Sequence, residues 1–184
     1  MAKVNGLEVN NITQMVEGVK VNPGMARATF SATTSWKSGV HNQAKVASFK
    51  LGGTKLTHSK TFIVESDHPK ELLGTDQGPT SVELVLAALG HCIVGGWAMY
   101  GASLGLSIDG LRVEVEGDID LQGMLGLPKP GKVRAGYQSI RVTHYVKSKA
   151  PRRELEQVKK MAEDLSPTKD SLRAVDYSSK LVVE

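Results

Sequence analysis

The stretch SVELVLAALGHCIVGGWAMYGASL, residues 81–104, carries one carboxylate and no lysine or arginine. Apolar side chains recur three and four residues apart at Val82, Val85, Leu86, Leu89, Cys92, Ile93 and Met99, which predicts a long helix. The other positions are mostly small or apolar too, among them Ala87, Ala88, Gly90, Val94, Gly95 and Gly96. A helix with no strongly polar side has to be buried. A chain of 184 residues offers limited cover for it, so a second copy of the chain is expected to supply the rest, as an intimate homodimer. Thr80 or Ser81 can cap the helix, and Pro79 suits a chain entering one. Gly95 and Gly96 each weaken it by ~1 kcal/mol relative to Ala. The pair therefore implies a bend or the close approach of another backbone.

The segments around this helix read as strands. From residue 26, ARATFSATTSW alternates, with Ala26, Ala28, Phe30 and Ala32 on one side and Arg27, Thr29, Ser31 and Thr33 on the other. SGVHN is a turn, QAKVASFKL a second strand, GGT a turn and SKTFIVES a third strand, together an antiparallel meander. DHPKELLGTDQGPT is a polar link. After the helix, LRVEVEGDIDL alternates, LQGMLGLPKPGKV is a Gly/Pro loop, and GYQSIRVTHYVKS places Ile140, Val142 and Val146 on one face. APRRELEQVKKMAEDL is an amphipathic helix with Leu155, Val158, Met161 or Ala162, and Leu165 on its apolar side. SSKLVVE forms a last strand. The expected fold is α+β, with antiparallel sheets around a long buried central helix. It is expected as one domain over residues 1–184, with an N-terminal extension of residues 1–25 and a core from about 26 to 184.

Composition excludes several classes. The net charge of +4 is spread along the chain, without the clustered basic and aromatic residues of a nucleic-acid surface. No apolar run is expected to reach the ~20 residues of a membrane span, and the start lacks a signal-peptide plan. A single cysteine cannot build a disulfide framework, which favours a reducing, cytoplasmic setting. No histidine or cysteine spacing suggests a metal site, and no Gly-rich strand–helix turn suggests a nucleotide, so no cofactor is expected.

The one cysteine, Cys92, is the candidate for chemistry. By residue type alone it is a small core hydrophobe. To react it needs a cation, a hydrogen-bond donor or a helix N-terminus that favours the thiolate, and its mid-helix position supplies no helix end. His91 points about 100° away on the same helix and reads as an exposed or half-buried histidine. His144 lies on the apolar face of its strand and reads as a hydrogen-bonded core histidine; His41 sits in a turn beside Asn42, and His58 and His68 lie in polar stretches. Glu83, one turn into the helix, complements its dipole. It lies nine residues before Cys92, on the opposite face of a straight helix.

The run Pro79, Glu83-Leu84, Leu86, Ala88-Leu89-Gly90 and Cys92 resembles the first-cysteine helix of the OsmC/Ohr family. Trp36 to Gly39, the pattern from Leu106 to Gly117, and the ending LSPTKDSLR fit the same resemblance, which covers about residues 26–184. It implies an intertwined α+β homodimer with active sites at the subunit interface, and thiol peroxidase chemistry on organic hydroperoxides. It also implies a second cysteine, in a Cys-Pro motif opening a later helix, an assisting Arg and Glu, and reduction by an external dithiol of lipoyl type. Cys92 then stands at the attacking position and Glu83 approximately at that of the assisting acid; Arg27 or His41 are the candidates to favour the thiolate. Ser166, before Pro167, stands where the resolving cysteine belongs. The expectation is a one-cysteine, peroxiredoxin-like peroxidase or sensor of organic hydroperoxides in oxidative-stress defence, recharged by an external thiol or dithiol. The alternatives are a non-redox dimer that binds a small apolar ligand on the same fold, and an inert structural dimer.

Overall fold

The structure, a computed structural model, describes residues 3–127, 129 and 132–183. In chain order the elements are β1 (Lys3–Val4), β2 (Leu7–Glu8), α1 (Val9–Val21), β3 (Ala28–Phe30), β4 (Thr33–Ser38), β5 (His41–Leu51) and β6 (Thr54–Ser66). There follow α2 (Ser81–Ser103), β7 (Gly110–Asp118), α3 (Leu121–Leu125), β8 (Ser139–Lys147), α4 (Arg152–Asp164), α5 (Pro167–Ser171) and β9 (Asp176–Val183). They pack as two compact units, one of residues 11–85, the other of residues up to 10 together with those from 86 on.

The 11–85 unit is the expected meander. β5 is its central strand, pairing antiparallel with β3 and β4, which run in succession, and with β6. Gly39 and the Gly52-Gly53 pair make the two turns at positive φ, where glycine carries no side-chain penalty. Trp36 Nε1 closes the first turn by donating to Gly39 O at 2.9 Å. The alternation of the first strand does not create a buried face within one chain: every residue of β3 and β4 is exposed. Residues 1–25, expected as an extension, contain β1, β2 and α1, a helix that the sequence reading did not anticipate. The polar link after β6 is organised by the buried Asp67. Its carboxylate accepts from Thr75 Oγ1 (2.7 Å) and from the backbone N–H groups of His68, Thr75 and Gln77. These donors, the Thr75 hydroxyl first, hold its pKa far below the ordinary carboxylate value.

The other unit contains the core. Along β8, Ile140, Val142, His144 and Val146 point inward. On α2, Leu89, Ile93, Trp97 and Gly101 form a buried ridge at four-residue spacing. α4 adds Leu155, Val158 and Ala162. Burying each large side chain contributes about 1.5–3 kcal/mol before entropy is counted. The glycine pair in α2 brings close approach at one of its two positions: a Cβ on Gly96 would lie 3.0 Å from Ala162 Cα, while at Gly95 it would meet nothing within 4 Å. Asn5 joins the N-terminal residues to this unit, donating to Leu106 O at 3.0 Å and accepting from Ile108 N at 2.9 Å.

Three sequence expectations need correction here. β7 and β8 are antiparallel, but β9 joins β8 in parallel. The α4–α5 crossover returns the chain to the same end of the sheet, which parallel pairing requires. The Gly/Pro loop after β7 begins with the short helix α3, capped by Asp120 and closed by Gly126; Pro128, Pro130 and Gly131 of that loop lie outside the described residues. Finally, α2 is by length and composition apolar enough to cross a bilayer, contrary to the run-length expectation. Within the chain only its Leu89–Ile93–Trp97 side, with Gly101 and Ala102, is buried, and Val82, Val85 and Val94 are exposed.

Candidate functional site

Cys92 sits one position before Ile93, about 100° around the helix from the buried ridge, and is therefore half-buried. Facing it is the start of α5. The sequence Ser166-Pro167 opens a helix for local reasons: Ser166 is the N-cap, its Oγ accepting from Lys169 N at 3.1 Å, and Pro167 sits at the first helical position. Having accepted from Lys169, the Ser166 hydroxyl points its own proton at the sulfur, with Oγ 3.1 Å from Cys92 Sγ. Ser166 itself is buried. Thr168, two residues on, also favours the thiolate, through its backbone N–H and its hydroxyl, and lowers the thiol pKa. Burial pushes the Cys92 thiol pKa up, but the Ser166 hydroxyl and the two Thr168 donors outweigh it, and the net direction is down. The thiolate is favoured by neutral donors. Tyr100, farther along α2, feels the sulfur in return: burial first, then the charge at Cys92, raises its pKa.

Behind α5 lies a buried polar chain. Trp97 Nε1 donates to His144 Nδ1 at 2.9 Å, which leaves the proton of the neutral ring on Nε2. That Nε2 lies 2.8 Å from Glu163 Oε1, off the line of an ideal hydrogen bond. Glu163 also meets Lys159 Nζ at 3.2 Å and Lys169 Nζ at 3.6 Å. Burial raises the Glu163 pKa, but His144, Ser179 and Lys159 prevail and bring it down to about 2.

Of the other sequence candidates, Glu83 spends its carboxylate on a capping box. Oε2 accepts from Thr80 N and Thr80 Oγ1, each at 2.7 Å, while Glu83 N donates to Thr80 Oγ1 at 3.3 Å. The Thr80 hydroxyl and amide hold its pKa down. His41 Nε2 lies 3.0 Å from Glu65 Oε2, and Arg27 is exposed just before β3. Both, like Glu83, belong to the 11–85 unit. The structure thus joins Cys92 to Ser166 directly. Thr168 and Tyr100 are the neighbours that sequence reading missed; the Ser-Pro-Thr start of a helix was the available signal for Thr168. A cavity of about 340 Å³ opens beside α5, with Leu89, Ile140, Glu163, Lys169 and Tyr177 in its walls; Cys92 is not among its lining residues. Among the described residues, no cluster of His, Cys, Asp or Glu could hold a metal ion.

Residues 74–179, more than half of the chain, match the family described as OsmC-like protein. The chain belongs to the OsmC family. The fold is that of OsmC-family structures: an OsmC-like protein from Mycoplasma pneumoniae superposes with a TM-score of 0.64 at 12% identity, covering 84% of this chain and 96% of that one. An organic hydroperoxide resistance protein from Elizabethkingia anophelis, with thiocyanate bound, gives 0.57 at 16% identity, covering 85% and 95%. A further organic hydroperoxide resistance protein, from Legionella pneumophila, gives 0.53 at 16%, covering 86% and 99%. No curated protein matches the chain in sequence. In this OsmC-family chain, Ser166 occupies the cap before Pro167 and touches the sulfur of Cys92.

A hydrogen bond to a charged group is worth about 1.5–3 kcal/mol. Ser166→Ala should therefore slow alkylation of Cys92 at pH 7 by about tenfold and move its rate–pH profile upward. Iodoacetamide kinetics measure this, and a profile unchanged from the wild type would show that Ser166 does not stabilise the thiolate.

Proposed function

We propose that this OsmC-family protein acts in oxidative-stress defence as a one-cysteine thiol peroxidase for organic hydroperoxides. The observation that carries the reading is the hydrogen bond from the Ser166 hydroxyl to Cys92 Sγ, which favours the nucleophilic thiolate. Family membership and the names of the Legionella and Elizabethkingia relatives support the peroxide class.

In the proposed step the Cys92 thiolate attacks one peroxide oxygen. The S–O bond forms as the O–O bond breaks; the alkoxide leaves, takes a proton from water and departs as the alcohol. The sulfur is oxidised by two electrons to sulfenic acid and the peroxide is reduced. Ser166 cannot resolve this product, because a hydroxyl supplies no thiolate. An external thiol attacks the sulfenic sulfur, releasing water and forming a mixed disulfide. A second thiol, or the second sulfur of a dithiol, then frees Cys92. Without such a thiol, a second peroxide drives the sulfur to sulfinic acid.

Mixing the reduced protein with one equivalent of cumene hydroperoxide tests the step. Mass spectrometry should find one added oxygen on the Cys92 peptide, removed by dithiothreitol and absent from Cys92→Ser. Equal peroxide consumption by wild type and Cys92→Ser would overturn the reading.

The proposed working form is a homodimer. Phe30, Trp36 and Ile63 on the meander, Met15 and Val16 on α1, and Val82 and Val94 on α2 are exposed in the single chain. Apolar surface on this scale is characteristic of permanent association, and homodimer interfaces are more apolar than transient ones. Light scattering after gel filtration should give twice the chain mass of 19.8 kDa; a monomer at micromolar concentration would contradict this.

A further inference from the structure

The contacts around Cys92 close into a ring that begins and ends on α2. From that helix, Trp97 donates to His144 on β8. His144 faces Glu163 at the end of α4 across 2.8 Å. Glu163 Oε2 meets Lys169 Nζ at 3.6 Å, and the backbone N–H of the same lysine donates to Ser166 Oγ at 3.1 Å. Ser166 then donates to Cys92 Sγ, back on α2. Glu163 reaches Ser166 by a second route, since its carbonyl accepts from Ser166 N at 3.2 Å.

Helix α5 has five residues, too few to hold itself in place. Its position has to come from outside, and Lys169 is where it is fastened. The lysine backbone fixes the Ser166 oxygen while its side chain is gripped by Glu163, with Asp164 Oδ1 at 3.7 Å and the Tyr177 ring 4.4 Å below the ammonium. Glu163 is in turn fixed by His144 and by Lys159. The charged and titratable groups around Glu163 are thus His144 from β8, Lys159 and Asp164 from α4, Lys169 from α5 and Tyr177 from β9. The groups that lower the thiol pKa are Ser166 and Thr168.

We propose that Lys169 and Glu163 are positioning residues for the Cys92 thiol: their contact holds the start of α5 so that the Ser166 hydroxyl stays on the sulfur. This rests on the reading of Cys92 as a reactive thiol and explains how a chain with one cysteine keeps that thiol activated. The Ser166 hydroxyl has one proton to give, and it is directed at the sulfur while its oxygen accepts from Lys169 N–H.

The test is the rate of iodoacetamide alkylation against pH, which requires no peroxide. It therefore separates failure of this proposal from failure of the peroxidase reading. Lys169→Met should slow Cys92 alkylation at pH 7 by about three- to tenfold, as the thiolate fraction falls, and Lys169→Arg should retain most of the wild-type rate. In a Ser166→Ala background, Lys169→Met should slow the reaction by a smaller factor, because the two residues act through one contact. Glu163→Gln should reproduce the effect of Lys169→Met and add little to it. Circular dichroism establishes that each variant is folded, and if Glu163→Gln is not, the two Lys169 variants and the Ser166 background decide. Wild-type kinetics in folded Lys169→Met would overturn the proposal. So would an undiminished factor in the Ser166→Ala background, which would mean a direct effect of the lysine charge.

Discussion

Burial of one side of α2 is the constraint from which the rest of this structure follows. Leu89, Ile93 and Trp97 cannot be left in water without forfeiting several kcal/mol, and β8 and α4 supply the apolar side chains that cover them. That packing sets the helix rotation. Cys92, a single residue off the ridge, is left at the edge of the core: close enough to be shielded, far enough out to be reached. A thiol fully inside would be inert, and one on the outer face would lack donors. Gly96 lets α4 come within contact of α2 at Ala162, and α4 delivers α5 to the sulfur.

The chemistry at the sulfur is set by a balance. Desolvation works against the thiolate, and neutral donors of Ser166 and Thr168 work for it. Such an arrangement differs from activation by an adjacent cation, because its strength depends on direction as much as on distance. Hydroxyl and amide donors stabilise charge only when aimed, and a five-residue helix has little capacity to aim them alone. The buried Trp97–His144–Glu163 chain gives that rigidity a source, with one end in the core. Its polar atoms would be costly to bury unless they met one another.

Much of this was legible in the sequence where the signal is periodic or local. The absence of charge over residues 84–104 announces α2, alternation announces β7 and β8, and His144 among inward-facing apolar residues reads correctly as a core histidine. The resemblance set Ser166-Pro167 at the opening of a later helix, and there Ser166 is the N-cap and Pro167 the first helical residue. Helix α1 is poorly legible: Asn10, Asn11 and Thr13 have low helix propensity, and no residue of it is buried. The alternating first strand promised a buried face, yet burial depends on what lies opposite, which period alone does not specify. The membrane-length run contains His91 and several glycines, so it is apolar on average rather than residue by residue. Thr168, Lys169 and Glu163 could not be tied to Cys92 by spacing, since about seventy residues, with strands β7 and β8 among them, intervene. Glu83, which resemblance places approximately at the assisting acid, is engaged by Thr80 in a cap, a contact that its spacing from Thr80 does not by itself distinguish from other uses of the carboxylate.

The central claim is that Ser166 holds the place of a resolving cysteine against a reactive Cys92. The most direct measurement is to install that cysteine with Ser166→Cys, oxidise the protein with one equivalent of cumene hydroperoxide, and count free thiols in denaturant. With the present oxygen 3.1 Å from Cys92 Sγ, a small shift brings two sulfurs into bonding range. The account predicts loss of both thiols to an intramolecular disulfide, restored by dithiothreitol. Retention of both thiols, or oxidation of Cys92 alone to sulfenic and sulfinic acids, would contradict it.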